Sequence, residues 1–346
     1  MTNPFQVIVA RTRPSNRRRV GSAQLTSRNA MMILVTGGAG FIGSNLVDGL
    51  LHEGHEVRIL DNFSTGHRAN LRLVADDVEL VEGDLRSYER VSRAVRDCEV
   101  VFHEGAMPSV PRSVQDPLTS SEINIGGTLN VLLAARDAGT RRVVFASSSS
   151  VYGDAPGFPR VETQATSPLA PYAVSKLAAE QYCRVAHLVY GLETVCLRYF
   201  NVFGRRQDPF SQYSAVIPKF IIAMRDRVAP TIYGDGTQSR DFTHIDDVVA
   251  ANLLAINAPA VAGRIFNIAC GRQVSLNELV GELNSILGSD IEAAHVEPRP
   301  GDVKHSLADV SRAARELGFS AAVDFSEGLR RAIEAYEPSA PASPRP

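Results

Sequence analysis

From Met32 onward, apolar runs of strand length recur at short intervals: MILVTG, EVRILD, VELVEGD, VVFHEGA and RRVVFASSS. Helical spacing of apolar residues marks the stretches between most of them, including SNLVDGLLHEG, SYERVSRAVRD and GTLNVLLAARDAG. Strands that are apolar almost throughout are covered on both faces. Their alternation with helices predicts an α/β fold with a doubly wound parallel sheet. After Asn201 the rhythm turns irregular. Short strands (TIYGDG, GRIFNIACG, IEAAHVEP) mix with helices (AVIPKFIIAMRDR, LNELVGELNSILG, SRAARELGF), which predicts a smaller C-terminal α+β domain. The pattern sets the sheet domain at residues 31–204, with 241–271 returning to it, and the smaller domain at 205–240 and 272–337. Residues 1–30 hold six arginines, no acid and no apolar core of signal-peptide length, and read as a disordered leader. The Pro/Ser/Ala-rich tail at 338–346 reads the same way.

Composition removes several classes of function. Lys and Arg number 36 and Asp and Glu 38, a net charge of −2, so there is no electrostatic footprint for nucleic acid or an anionic membrane. No apolar run approaches the roughly 18 residues of a membrane span. The four cysteines (Cys98, Cys183, Cys196, Cys270) are scattered, which argues against a disulfide framework or a zinc site and for a reducing cytoplasm. His103 and His244 lack partners at ligand spacing, so no metal is expected.

The segment ILVTGGAGFIGSNLVDGL is a strand, a tight turn and a helix start. Gly37, Gly40 and Gly43 form GxxGxxG, and Gly38, Gly40 and Gly43 also satisfy GxGxxG. Such a turn needs positive φ, close approach of backbone to a pyrophosphate, and close helix–strand packing. The helix N-terminus then offers free N–H groups to phosphate. In this context the sheet is of the Rossmann type. Asp61 ends the next strand, where a carboxylate can accept a hydrogen bond from a ribose 2′-OH and repel a 2′-phosphate, favouring NAD over NADP. Arg68, close by in sequence, pulls the other way. Asp84, after the third strand, suits either the adenine amino group or a helix cap before SYERV.

Tyr172 and Lys176 stand at i,i+4 in PYAVSKLAAEQY and share one helix face. An ammonium close to a phenol favours phenolate and lowers its pKa from about 10, which fits a general base acting on a hydroxyl. Upstream, FASSSSVYG sets serines at the carboxyl end of a strand, where open α/β sheets bind ligands.

Glycine turn, strand-end serines and YxxxK, in this order, resemble an extended short-chain dehydrogenase/reductase of the nucleotide-sugar epimerase/dehydratase group. The resemblance spans residues 32–336 and is nearest to bacterial UDP-N-acetylglucosamine/UDP-glucose 4-epimerases. LDNFSTGHRANL, SVPRSVQDPLTS, INIGGTLNVLLAARDAG, YFNVFGRRQDP, SAVIPKF and GDVKHSLADVS carry it. It implies that Tyr172 is the base, that Lys176 supports it and holds the nicotinamide ribose, and that Ser148 is the catalytic hydroxyl, with Ser149 and Ser150 as alternatives. It implies NAD contacts from Gly37, Gly40, Phe41, Ile42, Gly43, Asp61, Asn62, Ser64, Gly66, Asp84, Leu85, Ala106 and Asn124, besides Tyr172 and Lys176. For the UDP-sugar it implies Ser109, Arg112, Ser148, Asn201, Val216, Lys219, Tyr233, Gln238, Arg240, Arg299, Asp302 and Ser306. Of these, Arg240 and Arg299 suit a pyrophosphate, Asp302 a uridine ribose, and Ser306 the space beside the sugar's C2 substituent. HEGA at 103–106 departs from the family's HxAA-type strand end at Glu104 and Gly105.

Relatives of this kind oxidise sugar C4 with NAD and then diverge. Dehydratases carry an Asp-Glu pair beside the catalytic hydroxyl, and decarboxylases a glutamate just before VYG. Here residue 150 is serine, and no acid lies between Ala146 and Tyr152. The remaining reaction is C4 epimerisation, with UDP-N-acetylglucosamine and UDP-glucose as expected substrates. A UDP-glucuronate 4-epimerase, a decarboxylase or dehydratase, and a cofactor-sensing binding protein are the competing readings. The family's pairing of helices around 118–138 and 168–189 implies a homodimer.

Overall fold

A computed structural model describes residues 30–209, 215–298 and 304–336. Seven parallel strands form the central sheet: β1 (Met32–Thr36), β2 (Glu56–Asp61), β3 (Val78–Glu82), β4 (Val100–His103), β5 (Arg142–Ser148), β6 (Glu193–Tyr199) and a seventh, Arg264–Ile268. Their spatial order is seventh–β6–β5–β4–β1–β2–β3. The chain starts in the middle of the sheet and runs outward in two directions. The change of direction lies between β1 and β4, the place where open sheets of this kind bind ligands at the carboxyl ends of the strands. The five apolar runs are all strands of this sheet, and the run GRIFNIACG supplies its seventh member.

Helices cover both faces, as nearly unbroken apolar strands require. On one face α1 (Phe41–His52) and α8 (Ile245–Asn257) bury Leu46, Leu50, Val248 and Ala251 against Ile33, Val35 and Phe266. On the other, α2 (Tyr88–Val95), α5 (Gly127–Ala138) and α6 (Pro171–Tyr190) bury Val91, Val131, Ala179 and Cys183 against Leu34, Val101 and Phe145. Two short helices, α3 (Val110–Gln115) and α4 (Pro117–Ser121), lie between β4 and α5. A third core, from Phe203 to Ile333, joins α7 (Val216–Arg225) and α9 (Leu276–Leu287) through Phe220, Ile221, Leu279 and Leu283. It contributes no strand to the central sheet.

Candidate active site

The glycine turn closes where two backbones nearly touch. Gly37 has φ +68°, and a Cβ there would lie 2.6 Å from Gly105 Cα. A Cβ on Gly43 would lie 2.2 Å from the Gly37 carbonyl oxygen. Gly40 caps α1 with no side chain, and no acid occupies the first turn around Phe41 and Ile42. Among the described residues the leading N–H groups of α1 therefore have no side-chain partner, and the turn fits the pyrophosphate of a dinucleotide.

Asp61 lies at the end of β2, 7% exposed. Its Oδ2 accepts from Ala39 N–H at 2.9 Å and its Oδ1 from Phe63 N–H at 2.8 Å. A carboxylate has lone pairs left for a ribose hydroxyl. The loop beyond folds over it, since a Cβ on Gly66 would be 3.0 Å from Asp61 Oδ2. Ser64 N–H donates to Asn62 Oδ1, and Asn62 Nδ2 donates to Asp84 Oδ2 at 2.9 Å. Arg86 grips both oxygens of Asp84 and pulls its carboxyl down to about 2. The cap of α2 is Ser87, not Asp84. Leu85 packs under Gly105 and Gly127.

The proton-handling groups meet at the end of β5. Ser148 is its last residue and pairs in register with Tyr199. Its hydroxyl accepts from Ser150 N–H at 3.1 Å and stands near enough to the Tyr172 phenol to favour its ionised form. Ser149 opens the following short 3-10 turn, and the Ser150 hydroxyl is buried without a partner among the described residues. Pro171 starts α6, so Tyr172 and Lys176 fall one turn apart at its head. Lys176, 3% exposed, donates to the Ala146 carbonyl at 2.8 Å, and its Nζ lies 6.0 Å from the Tyr172 ring centre.

Charge proximity does not govern here. Burial pushes the Tyr172 phenol up to about 12, with the Ser148 hydrogen bond opposing and the Glu104 charge adding to the rise. Burial also lowers Lys176 to about 8. The lowered phenol expected from the Lys176 spacing is thus absent, because desolvation dominates.

Glu104, singled out in sequence only as a departure, is part of this cluster. Its Oε1 accepts from Tyr199 O–H at 2.9 Å, and Asn252 Nδ2 donates to the same Tyr199 oxygen at 2.8 Å. Burial raises the carboxyl to about 7, while Tyr199 and Lys176 hold it down. Ala106 follows in the loop after β4. Asn124 sits in the π-turn Glu122–Gly126 with its amide taken up, accepting from Met107 N–H at 2.8 Å and donating to Ser175 Oγ at 3.0 Å. It fixes that loop to α6. Ser109 caps α3 at the strained φ of +90°, and Arg112 lies in the first turn. Ser113 of that helix accepts from Tyr172 N–H at 3.0 Å.

A cavity of about 320 Å³ is lined by Asn201, Val216, Lys219, Tyr233, Gln238 and Arg240, all expected at the substrate, together with Phe203, Phe220 and Phe242. Asn201 holds φ +35° and donates its amide to the Asp241 carbonyl at 3.0 Å. Asp241 is buried, and its carboxylate accepts from Cys270, Gly271 and Ala308 N–H, which anchors the segment that carries Ser306. Ser306 N–H donates to the Ser239 carbonyl at 3.0 Å, one residue from Arg240. Arg299 and Asp302 lie outside the described residues. His103 spans Thr36 and Thr128 with its two nitrogens, and His244 caps α8. Among the described residues no group of three His, Cys, Asp or Glu could hold a metal, and no helix is long and apolar enough to cross a membrane.

Residues 33–269 match the model of the family described as "NAD dependent epimerase/dehydratase family". The chain is 38% identical over 310 residues to a UDP-glucose 4-epimerase of Mycolicibacterium smegmatis, covering 88% of this chain and 98% of that one. It is 39% identical to the UDP-N-acetylglucosamine 4-epimerase of Methanobrevibacter ruminantium M1, solved with UDP-N-acetylmuramic acid. The TM-score is 0.85, over 89% of this chain and 98% of the other. A UDP-glucose 4-epimerase of Thermus thermophilus, solved with NAD, superposes with TM-score 0.80 at 38% identity, over 88% and 98% of the two chains.

Proposed function

The chain belongs to the NAD dependent epimerase/dehydratase family, and from that premise we propose that it interconverts UDP-N-acetylglucosamine and UDP-N-acetylgalactosamine, and UDP-glucose and UDP-galactose, by inversion at C4. The observation that carries this reading is the cluster of Ser148, Tyr172 and Lys176 at the carboxyl end of β5 with no acid from Ala146 to Tyr152. Elimination at C5–C6 and loss of a carboxyl group both need chemistry that this stretch does not supply. Bound NAD supplies the acceptor and later the donor of a hydride at sugar C4.

The residues of the chain divide the remaining work. Tyr172 takes the proton of the 4-hydroxyl, with Ser148 bridging the two oxygens, and returns it after inversion. With a phenol at about 12, little of Tyr172 is phenolate near neutral pH, so cationic charge near the ring has to favour the phenolate before it can accept the proton. Lys176 is one such charge. The Gly37–Gly43 turn, Asp61 and Asp84 hold the dinucleotide. Arg240, Lys219, Asn201, Gln238 and Tyr233 hold the UDP group firmly, which leaves the hexose free to present either face. Ser306, beside Arg240, leaves room at C2 for an acetamido group. NMR of UDP-glucose, UDP-N-acetylglucosamine and UDP-glucuronate, each incubated with protein and trace NAD, tests the reading. Turnover of UDP-glucuronate alone, or release of CO2, would overturn it.

A second copy of the chain is the proposed partner. Val114, Leu118, Val185, Leu188 and Val189 are between 43% and 77% exposed on the helices from 110 to 190. An apolar area of this kind marks an interface. Sedimentation should report a dimer, and Leu188→Glu should dissociate it.

A further inference from the structure

Two carboxylates end neighbouring strands at the same level, because Asp61 of β2 pairs in register with Glu82 of β3. They differ in what they do. Asp61 is buried and serves the turn. The side chain of Glu82 is 63% exposed, and its Oε2 accepts from Arg68 Nη2 at 2.5 Å. The same guanidinium lies 3.9 Å from the centre of the Phe63 ring. Arg68 is carried there by the loop that folds over Asp61, whose His67 N–H donates to the Ala39 carbonyl at 3.0 Å. An arginine at the rim of a ribose site is a good receptor for a 2′-phosphate, through bidentate, charge-assisted hydrogen bonds. Here that receptor is already engaged by a carboxylate and an aromatic face.

We propose that Glu82 is a specificity residue for the dinucleotide: it holds Arg68 against Phe63 and so keeps the guanidinium from receiving a 2′-phosphate. Its backbone lies next to that of Asp61, at the strand spacing of about 4.8 Å, and its charge adds to the repulsion of a second phosphate. The proposal rests on the reading of Asp61 as the ribose carboxylate. An exposed ion pair contributes little to stability, so removing Glu82 frees Arg68 without endangering the fold.

Dissociation constants for NAD and NADP, measured by calorimetry without sugar substrate, test it in four proteins: the parent, Glu82→Ala, Arg68→Ala and the double variant. Glu82→Ala should tighten NADP binding about threefold to fivefold, the worth of an exposed ion pair, while NAD binding shifts little. Glu82→Gln should move in the same direction by less. Arg68→Ala alone should leave NADP as weak as before, and the double variant should keep only the smaller part of the gain that relieved repulsion supplies. No gain in Glu82→Ala, or an equal gain in the double variant, overturns the proposal. Asp61→Ala separates the two readings. If it leaves NAD affinity intact, the ribose assignment fails; if it weakens NAD while Glu82→Ala changes nothing, only the role of Glu82 fails.

Discussion

The candidate site has two sides built on opposite principles. At the carboxyl end of β5, Lys176 is 3% exposed, and it and Tyr172 are fixed by one helix turn against the last residues of that strand. On the substrate side, Lys219 and Tyr233 are exposed and Gln238 and Arg240 half-buried, on a helix start, on strands of two or three residues and, for Gln238, in the loop between them. Burial moves the titratable groups of the first side far from their ordinary values. A group that exchanges protons with substrate gains from such tuning. A group that admits and releases a nucleotide at every turnover gains from remaining reachable. Substitutions on the first side should therefore act on kcat, and those on the second on KM.

Tyr172→Phe gives the largest expected effect. It removes one hydroxyl on the buried side and leaves the cavity untouched. Turnover should fall about 10²–10⁴-fold, with NAD and UDP binding nearly unchanged by calorimetry. A variant that keeps more than half the parental rate would remove Tyr172 from the chemistry and collapse the distinction between the two sides.

Next comes Ser306→Tyr, which sharpens the comparison on the open side. The added ring should abolish turnover of UDP-N-acetylglucosamine and spare UDP-glucose, since bulk excludes a larger substrate, while a vacant pocket costs a smaller one only about 1–3 kcal/mol. Equal loss of both substrates would show that the ring disturbs Arg240 rather than the sugar's C2 side. Arg240→Ala should raise KM for either sugar about 10-fold or somewhat more, the loss of a charge-assisted contact to phosphate, with kcat nearly constant. A fall in kcat at unchanged KM would place Arg240 with the proton-handling groups instead.

The two sides also differed in how legible they were. The glycine turn and the Tyr172–Lys176 spacing are local demands of backbone and helix period, so they stand in the sequence as patterns. The substrate side has no such pattern. Its residues were located only through resemblance, yet Asn201, Val216, Lys219, Tyr233, Gln238 and Arg240 line one cavity. What stayed hidden depends on pairings across long stretches of chain. Glu104 meets Tyr199 across 95 residues, and Asp241 meets Ala308 across 67. No window of sequence contains both partners. The direction of the Tyr172 shift is hidden for a related reason: spacing reveals the charge at i+4 but not how much water the fold removes.

Glu104→Gln makes the smallest expected change and probes the buried side through stability rather than rate. Burial holds the Glu104 carboxyl at about 7, against its ordinary 4.5. A raised carboxyl pKa means that the folded chain keeps a proton that the unfolded chain gives up. At pH below 4.5 both states are protonated and the group costs nothing. Between 4.5 and 7 the unfolded chain ionises first, and stability is lost as pH rises until the folded carboxyl ionises as well. The full cost, on the order of 1–3 kcal/mol, is then carried at pH 8. Glutamine fills the same space and can still accept from Tyr199 O–H, but it carries no charge to desolvate. The variant should melt with the parent near pH 4.5 and a few degrees above it at pH 8. Asp241, which burial raises to about 6, titrates identically in both proteins and drops out of the difference. Removing the Glu104 charge should also let the Tyr172 phenol ionise at lower pH, since that charge raises it. Parallel melting curves at the two pH values would mean that Glu104 is hydrated in solution, and the buried side would then be narrower than the hydrogen bond to Tyr199 implies.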